Sequence, residues 1–150
     1  MVDSALLRKL VSEATAAGIQ QFVVGAVVQS QDEVLLLRRP ADDFMDGLWE
    51  LPSGKVEPGE ALDDALICEI KEKTGLDVSA VRRYLGSFDY TSGSGKASRQ
   101  FNFAVDVTAT RPIELHEHDV YQWAQLDGEL PVTDAVKTVL KTHINRDHGD

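Results

Sequence analysis

An α/β (α+β) domain, with a mostly strand-built centre flanked by helices, is what the sequence predicts. Three observations predict it. Segments with apolar residues at helical spacing stand near both ends of the 150-residue chain. Between them lie β-rich runs separated by turn residues. A third helical segment, introduced by Pro58 and Gly59, interrupts those runs.

The first helix is predicted over Asp3 to Ala17, with Leu6, Leu7, Leu10 and Val11 on one side and Gly18 as its stop. "QFVVGAVVQS" and "EVLLLRR" read as strands of a hairpin turning at Gln31-Asp32. "PADDFMDG" reads as a loop before the short apolar "LWELP". The central helix is expected from about Glu60 to Lys73, with Gly75 at its C-cap. "VSAVRRYLGSFDY" and "RQFNFAVDV" form a strand pair around "TSGSGKAS", and "VYQWAQL" is a further short strand. The last helix is expected over Pro131 to His143, leaving residues 145–150 as a frayed tail with His143 and His148 in solvent. No repeat or long linker divides the chain, so residues 1–150 are expected to be a single domain, with residues 1–18 as its N-terminal helix.

A 43% hydrophobic content suits a packed core. No apolar run approaches the roughly 20 residues of a membrane span. Asp3 and Glu13 spoil the layout of a signal peptide. The lone Cys68 precludes an internal disulfide and suggests a reducing compartment, so a cytoplasmic protein is expected. A net charge of −10 repels a nucleic-acid backbone. It still admits small phosphorylated ligands, because a divalent cation can mediate between acidic protein and anionic substrate.

The central helix carries the chemistry. With Glu69 at 0°, Leu62, Ala65, Leu66, Glu72 and Lys73 fall within roughly 60° of it on an α-helix. Glu69 and Glu72 thus share a side with small and apolar residues, where two carboxylates repel unless a cation compensates. The alternative is a pair at the stripe's edge reaching water, with Lys73 in an ordinary ion pair to Glu69. Gly54 and Gly59 in the preceding "GKVEPGE" allow a tight loop close to a ligand, and Glu57 and Glu60 add acids there.

Residues 54–76 resemble the Nudix box, G-x5-E-x7-R-E-U-x-E-E-x-G-U with U a bulky aliphatic residue. Gly54, Glu60, Glu69, Ile70, Glu72, Gly75 and Leu76 match, seven of nine defined positions in register. Cys68 stands in place of the arginine and Lys73 in place of the last glutamate. Upstream, "LLLRRPADDFMDGLWELPSGKVEPGE" is similar to the corresponding stretch of MutT-like nucleoside triphosphate pyrophosphatases. The resemblance implies the Nudix fold, a mixed central β-sheet sandwiched between helices.

It further implies hydrolysis of a nucleoside diphosphate linked to another group, with Mg2+ as cofactor and Mn2+ as its alternative. The expected substrate is a small-molecule nucleoside triphosphate, cleaved to the monophosphate and pyrophosphate. ADP-ribose or nucleotide-sugar hydrolysis, or nucleotide binding with weakened catalysis, are the alternatives. By the same resemblance Glu69 and Glu72 are catalytic and, with the Gly54 carbonyl, hold the metal. Arg39 aligns with a phosphate-contacting position, where its forked donors suit the task; a strand-end arginine in solvent is the other reading. Lys55 is a second phosphate contact or a loop charge pairing with Glu57. Phe44 and Trp49 border the nucleoside pocket, with core packing as the other reading for Trp49. Thr133 and Asp134 fall at base-reading positions, although Thr133 is also a good N-cap.

The departures predict reduced activity. Cys68 cannot hold the catalytic glutamate through charged bidentate hydrogen bonds, and Lys73 lowers the capacity for further metal ions. Relatives often carry a glutamate where this chain has Val120, with Glu117, Asp119, His116 and His118 close by as substitutes. Dimers are frequent among similar proteins and a strand edge is available, which leaves a homodimer open.

Overall fold

The fold comes from a computed structural model that describes residues 2–38, 49–109, 113, 115, 120–126 and 132–149, with only the backbone of 146–149. The element order is α1 Ser4–Ala16, β1 Gln21–Ser30, β2 Glu33–Arg38, β3 Trp49–Glu50, β4 Ser53–Lys55, α2 Leu62–Thr74, β5 Val78–Thr91, β6 Ala97–Val107, β7 Val120–Gln125 and α3 Asp134–Gly149. Asp3 caps α1 by accepting the Ala5 N–H at 2.9 Å, a bond worth about 1 kcal/mol. Gln31 closes the β1–β2 turn with φ 58°, so the expected hairpin forms there.

The strands make one mixed sheet in the order β3-β2-β1-β6-β5, with β4 also on β1 and β7 also on β2. β1 runs parallel to β6, and the other pairs are antiparallel. Alternation along the strands sorts their side chains into two cores. Val24, Ala26, Leu35, Leu37, Phe101 and Phe103 pack with Leu7 of α1 and with Leu62, Leu66 and Ile70 of α2. Val27, Val34, Leu36 and Ala104 pack with Val136, Val139 and Leu140 of α3. The sheet is therefore sandwiched, with α1 and α2 on one face and α3 on the other.

Three expectations change. Helix α2 begins at Leu62, not Glu60. The Glu60 side chain instead turns back to accept the Glu57 N–H at 3.0 Å, while Glu60 N–H donates to the Glu57 carbonyl, also at 3.0 Å. This closed turn uses up the residues that sequence pattern gave to the helix. α3 continues through Gly149, past the expected end at His143, because no glycine or proline interrupts it before then. His143 is buried rather than solvated, 5% exposed, and its Nε2 lies 2.6 Å from Gln29 Oε1 of β1. At the far edge, Arg99 grips Asp89 across β5–β6 with two bonds of 2.7 and 3.0 Å. Those bonds hold the Asp89 carboxyl below its ordinary range.

Candidate functional site

The site is built where β4 meets α2. Gly54 is paired with Val24 in the middle of β1, which fixes its backbone within the sheet. Its φ is not positive, in contrast to Gly59 and Gly75, so conformational freedom is not why glycine stands there. The reason is room. A Cβ built on Gly54 would overlap the carboxylate and Cγ of Glu69. The Glu69 side chain thus lies directly on the Gly54 backbone, half-buried between α2 and the sheet. Residues 15 positions apart in the chain meet because α2 packs across β4.

The other α2 residues sort by angle. Leu62, Ala65, Leu66, Ile70 and Thr74 are buried, so the buried stripe is centred near Leu66, roughly 60° round from Glu69. Glu69 lies at its edge and Glu72 lies beyond it, exposed to solvent. The expectation that both glutamates sit beside the core holds for Glu69 alone. Cys68 is exposed and Lys73 half-buried. Thr74 is wholly buried and hydrogen-bonds back to the Ile70 carbonyl at 2.6 Å, and Gly75 ends the helix at φ 78°.

The remaining candidates divide between places. Lys55 follows Gly54 on β4 and is exposed. Thr133 lies across the sheet in the α3 layer, where its Oγ1 accepts the Val136 N–H at 3.3 Å, and Asp134 beside it is exposed. Thr133 therefore caps α3, and neither residue meets Glu69. Trp49 packs against the α3-side core. Arg39, Phe44, His116, Glu117, His118 and Asp119 lie outside the described residues. Among the described residues no three His, Cys, Asp or Glu side chains cluster. A cavity of about 840 Å3 between α1 and residues 55–63 touches this region through Lys55 and Glu60 and is not lined by Glu69.

This arrangement suits a hard cation. The Gly54 cradle brings a carboxylate against main chain, and the donors at hand are oxygens, with no imidazole or thiolate needed. Magnesium takes one or two carboxylates and leaves its other positions to water and substrate phosphates.

A family model for the NUDIX domain matches residues 20–141. The chain belongs to the Nudix family. It is 34% identical over 109 residues to a CTP pyrophosphohydrolase of Escherichia coli, covering 72% of this chain and 78% of that protein. It is 36% identical over 58 residues to an 8-oxo-dGTP diphosphatase of Proteus vulgaris, covering 39% of this chain and 52% of the relative. In structure it is similar to a MutT protein from Methanosarcina mazei, with a TM-score of 0.73 and 26% identity over 87% of this chain and 96% of that one. The solution structure of the E. coli ORF135 protein gives 0.72 and 28% over 89% and 95%.

This Nudix protein is a MutT-like hydrolase acting on nucleotide diphosphate-linked substrates, in a family that generally requires divalent metal. Helix α1 lies outside the matched residues and adds Leu7 and Ala14 to the core. No helix among the described residues is long and apolar enough to cross a membrane. Sequence reading passed over one feature of this Nudix fold. The pattern assigns "RQFNFAVDV" to a strand and Ser98 to the "TSGSGKAS" connection, yet β6 begins at Ala97, and Ser98, Gln100 and Asn102 are all buried on its α3-side face. The signal was there as polar residues at every second position.

Proposed function

We propose that this Nudix hydrolase cleaves a nucleoside triphosphate to the monophosphate and pyrophosphate, with Glu69, Glu72 and the Gly54 carbonyl holding magnesium. The seating of Glu69 on Gly54 is the observation that carries the reading, because it joins the two halves of the box at one point. Similarity to the CTP pyrophosphohydrolase and the MutT-like stretch before the box support the triphosphate as substrate.

Water adds its oxygen to one phosphorus of the α–β anhydride, the bridging oxygen leaves with the other, and the released proton passes to a base. When bound, magnesium supplies positive charge against the phosphate oxygens and lowers the pKa of coordinated water. Glu69, held at the sheet by its packing, provides an oriented carboxylate to the reacting region. Glu72, one turn on and exposed, faces the solvent side from which substrate arrives. Arg39 and Lys55 bind phosphate oxygens as charged donors, while Thr133 and Asp134 serve the nucleoside end.

Product analysis over triphosphates, ADP-ribose and nucleotide sugars, with and without magnesium, tests this. Triphosphates should yield monophosphate and pyrophosphate, and Glu69→Gln should reduce the rate by at least about 100-fold. Turnover confined to ADP-ribose or sugar nucleotides would overturn the triphosphate assignment. Turnover undiminished in Glu69→Gln would remove that residue from the mechanism.

A further inference from the structure

Of the buried polar residues of β6, Gln100 shares its row of the sheet with the proposed phosphate contact. Lys55 of β4 pairs with Val23 of β1, Val23 pairs with Gln100 of β6, and Gln100 pairs with Phe88 of β5. Paired residues leave the sheet on the same face, so Lys55 starts from the α3 side with Gln100 and Phe88, although it also borders the cavity against α1. Gln100 lies two strand spacings from Lys55, about 10 Å. A nucleotide with its phosphates at Lys55 would carry its base toward Gln100 and the Phe88 ring.

Gln100 is oriented by its neighbours. Asn102 is fully buried, and its Nδ2 donates to the Gly86 carbonyl at 3.1 Å and the Gln100 carbonyl at 3.2 Å. Two carbonyls leave no choice about which end of that amide is nitrogen. Its Oδ1 therefore accepts, and Gln100 Nε2 donates to it at 2.8 Å. The Gln100 amide is fixed in turn, with Oε1 turned away from Asn102. No described residue donates to that oxygen. Gly25 makes room for the pair, since a Cβ there would fall 2.7 Å from Asn102 Oδ1. Asn102 is closed to solvent, whereas Gln100 keeps 7% of its surface accessible. Access to the pair is through Gln100.

We infer that Gln100 is a specificity-determining residue that reads the nucleobase, its fixed Oε1 accepting from the exocyclic amino group of a cytosine or adenine nucleotide. Asn102 is its positioning residue, held by the carbonyl of Gly86 at a break in the β5 register. This rests on the triphosphate reading above and adds the class of base. A fixed acceptor rejects a base that places a carbonyl at the same point, because two oxygens then face each other without a proton between them.

The test pairs nucleotides that differ at that single substituent, CTP against UTP and ATP against ITP. Turnover with magnesium is read as kcat/KM, and binding is read with the α,β-imido analogues of CTP and UTP. Wild type should favour the amino-bearing member of at least one pair by about tenfold or more. Gln100→Leu should bring that ratio to within about twofold of one, mainly by weakening the favoured nucleotide. A purely structural Gln100 would slow both members equally and leave the ratio unchanged, which would overturn the inference. Should Gln100→Leu fail to fold, the wild-type analogues decide alone, since equal binding of the CTP and UTP forms is incompatible with a fixed acceptor. Hydrolysis of triphosphates without base preference would sink this inference and leave the reaction intact. Base preference in analogue binding without triphosphate turnover would do the reverse.

Discussion

Replacing Gly54 by alanine is the sharpest probe of the site, because the backbone tolerates alanine there and the three atoms nearest to the added Cβ all belong to Glu69. The built Cβ lies well inside 3.0 Å of the Glu69 carboxylate, a separation that real Cβ atoms do not breach. The carboxylate must retreat by about 1 Å, and a displacement of that size at a reacting centre can lower turnover about 100-fold. The same crowding in a packed region destabilises by about 1–3 kcal/mol. For a chain of this length each kcal/mol moves Tm by about 2–4 °C, so Gly54→Ala should melt about 2–12 °C lower. The discriminating assay is a double-mutant cycle followed by circular dichroism. Glu69→Ala removes the obstructing atoms, so adding Gly54→Ala to it should cost almost nothing in Tm. An equal Tm loss in both backgrounds would mean the glycine serves the backbone. No loss in either would mean that Glu69 does not rest there.

Restoring the box with Cys68→Arg and Lys73→Glu together should raise kcat on the best triphosphate by about tenfold or more; an unchanged kcat would show that neither exchange weakens the enzyme. The Asp89–Arg99 pair should matter to acid stability. Arg99 holds the Asp89 carboxyl below its ordinary value, so its contribution is present above about pH 4 and fades as pH falls through the folded value. Asp89→Asn should therefore unfold less steeply between neutral and acid pH, by a margin that shrinks in high salt because the pair is half-exposed; superimposable acid titrations would refute it. His143→Ala removes a buried ring and its contact with Gln29, and should cost about 1–3 kcal/mol in urea unfolding. A loss below about 0.5 kcal/mol would return His143 to the surface role expected from its place near the chain end.

Local pattern was enough for the elements and for the box. Period-two and period-3.6 apolar spacing located the helices and long strands found among the described residues, because each element must bury one face. Gly54, Glu69, Glu72 and Gly75 could be named because their spacing along the chain is itself the motif. What spacing could not decide was exposure. Glu69 and Glu72 look equivalent on a helical wheel drawn around Glu69, and only the packing of Leu66 and Ile70 against the sheet puts one at the core edge and the other in water.

Contacts between distant residues were decided by tertiary structure alone. Nothing local brings His143 to Gln29, 114 residues away, or sets Lys55, Val23, Gln100 and Phe88 in one row. The sequence by itself carried the resemblance to the Nudix family, because motif spacing is a property of one short segment, and the family match over residues 20–141 bears it out. The tertiary structure decided why position 54 must be glycine, and which polar side chain shares a row of the sheet with Lys55. Both depend on strand register, and register is settled only when distant strands pair and close a common core.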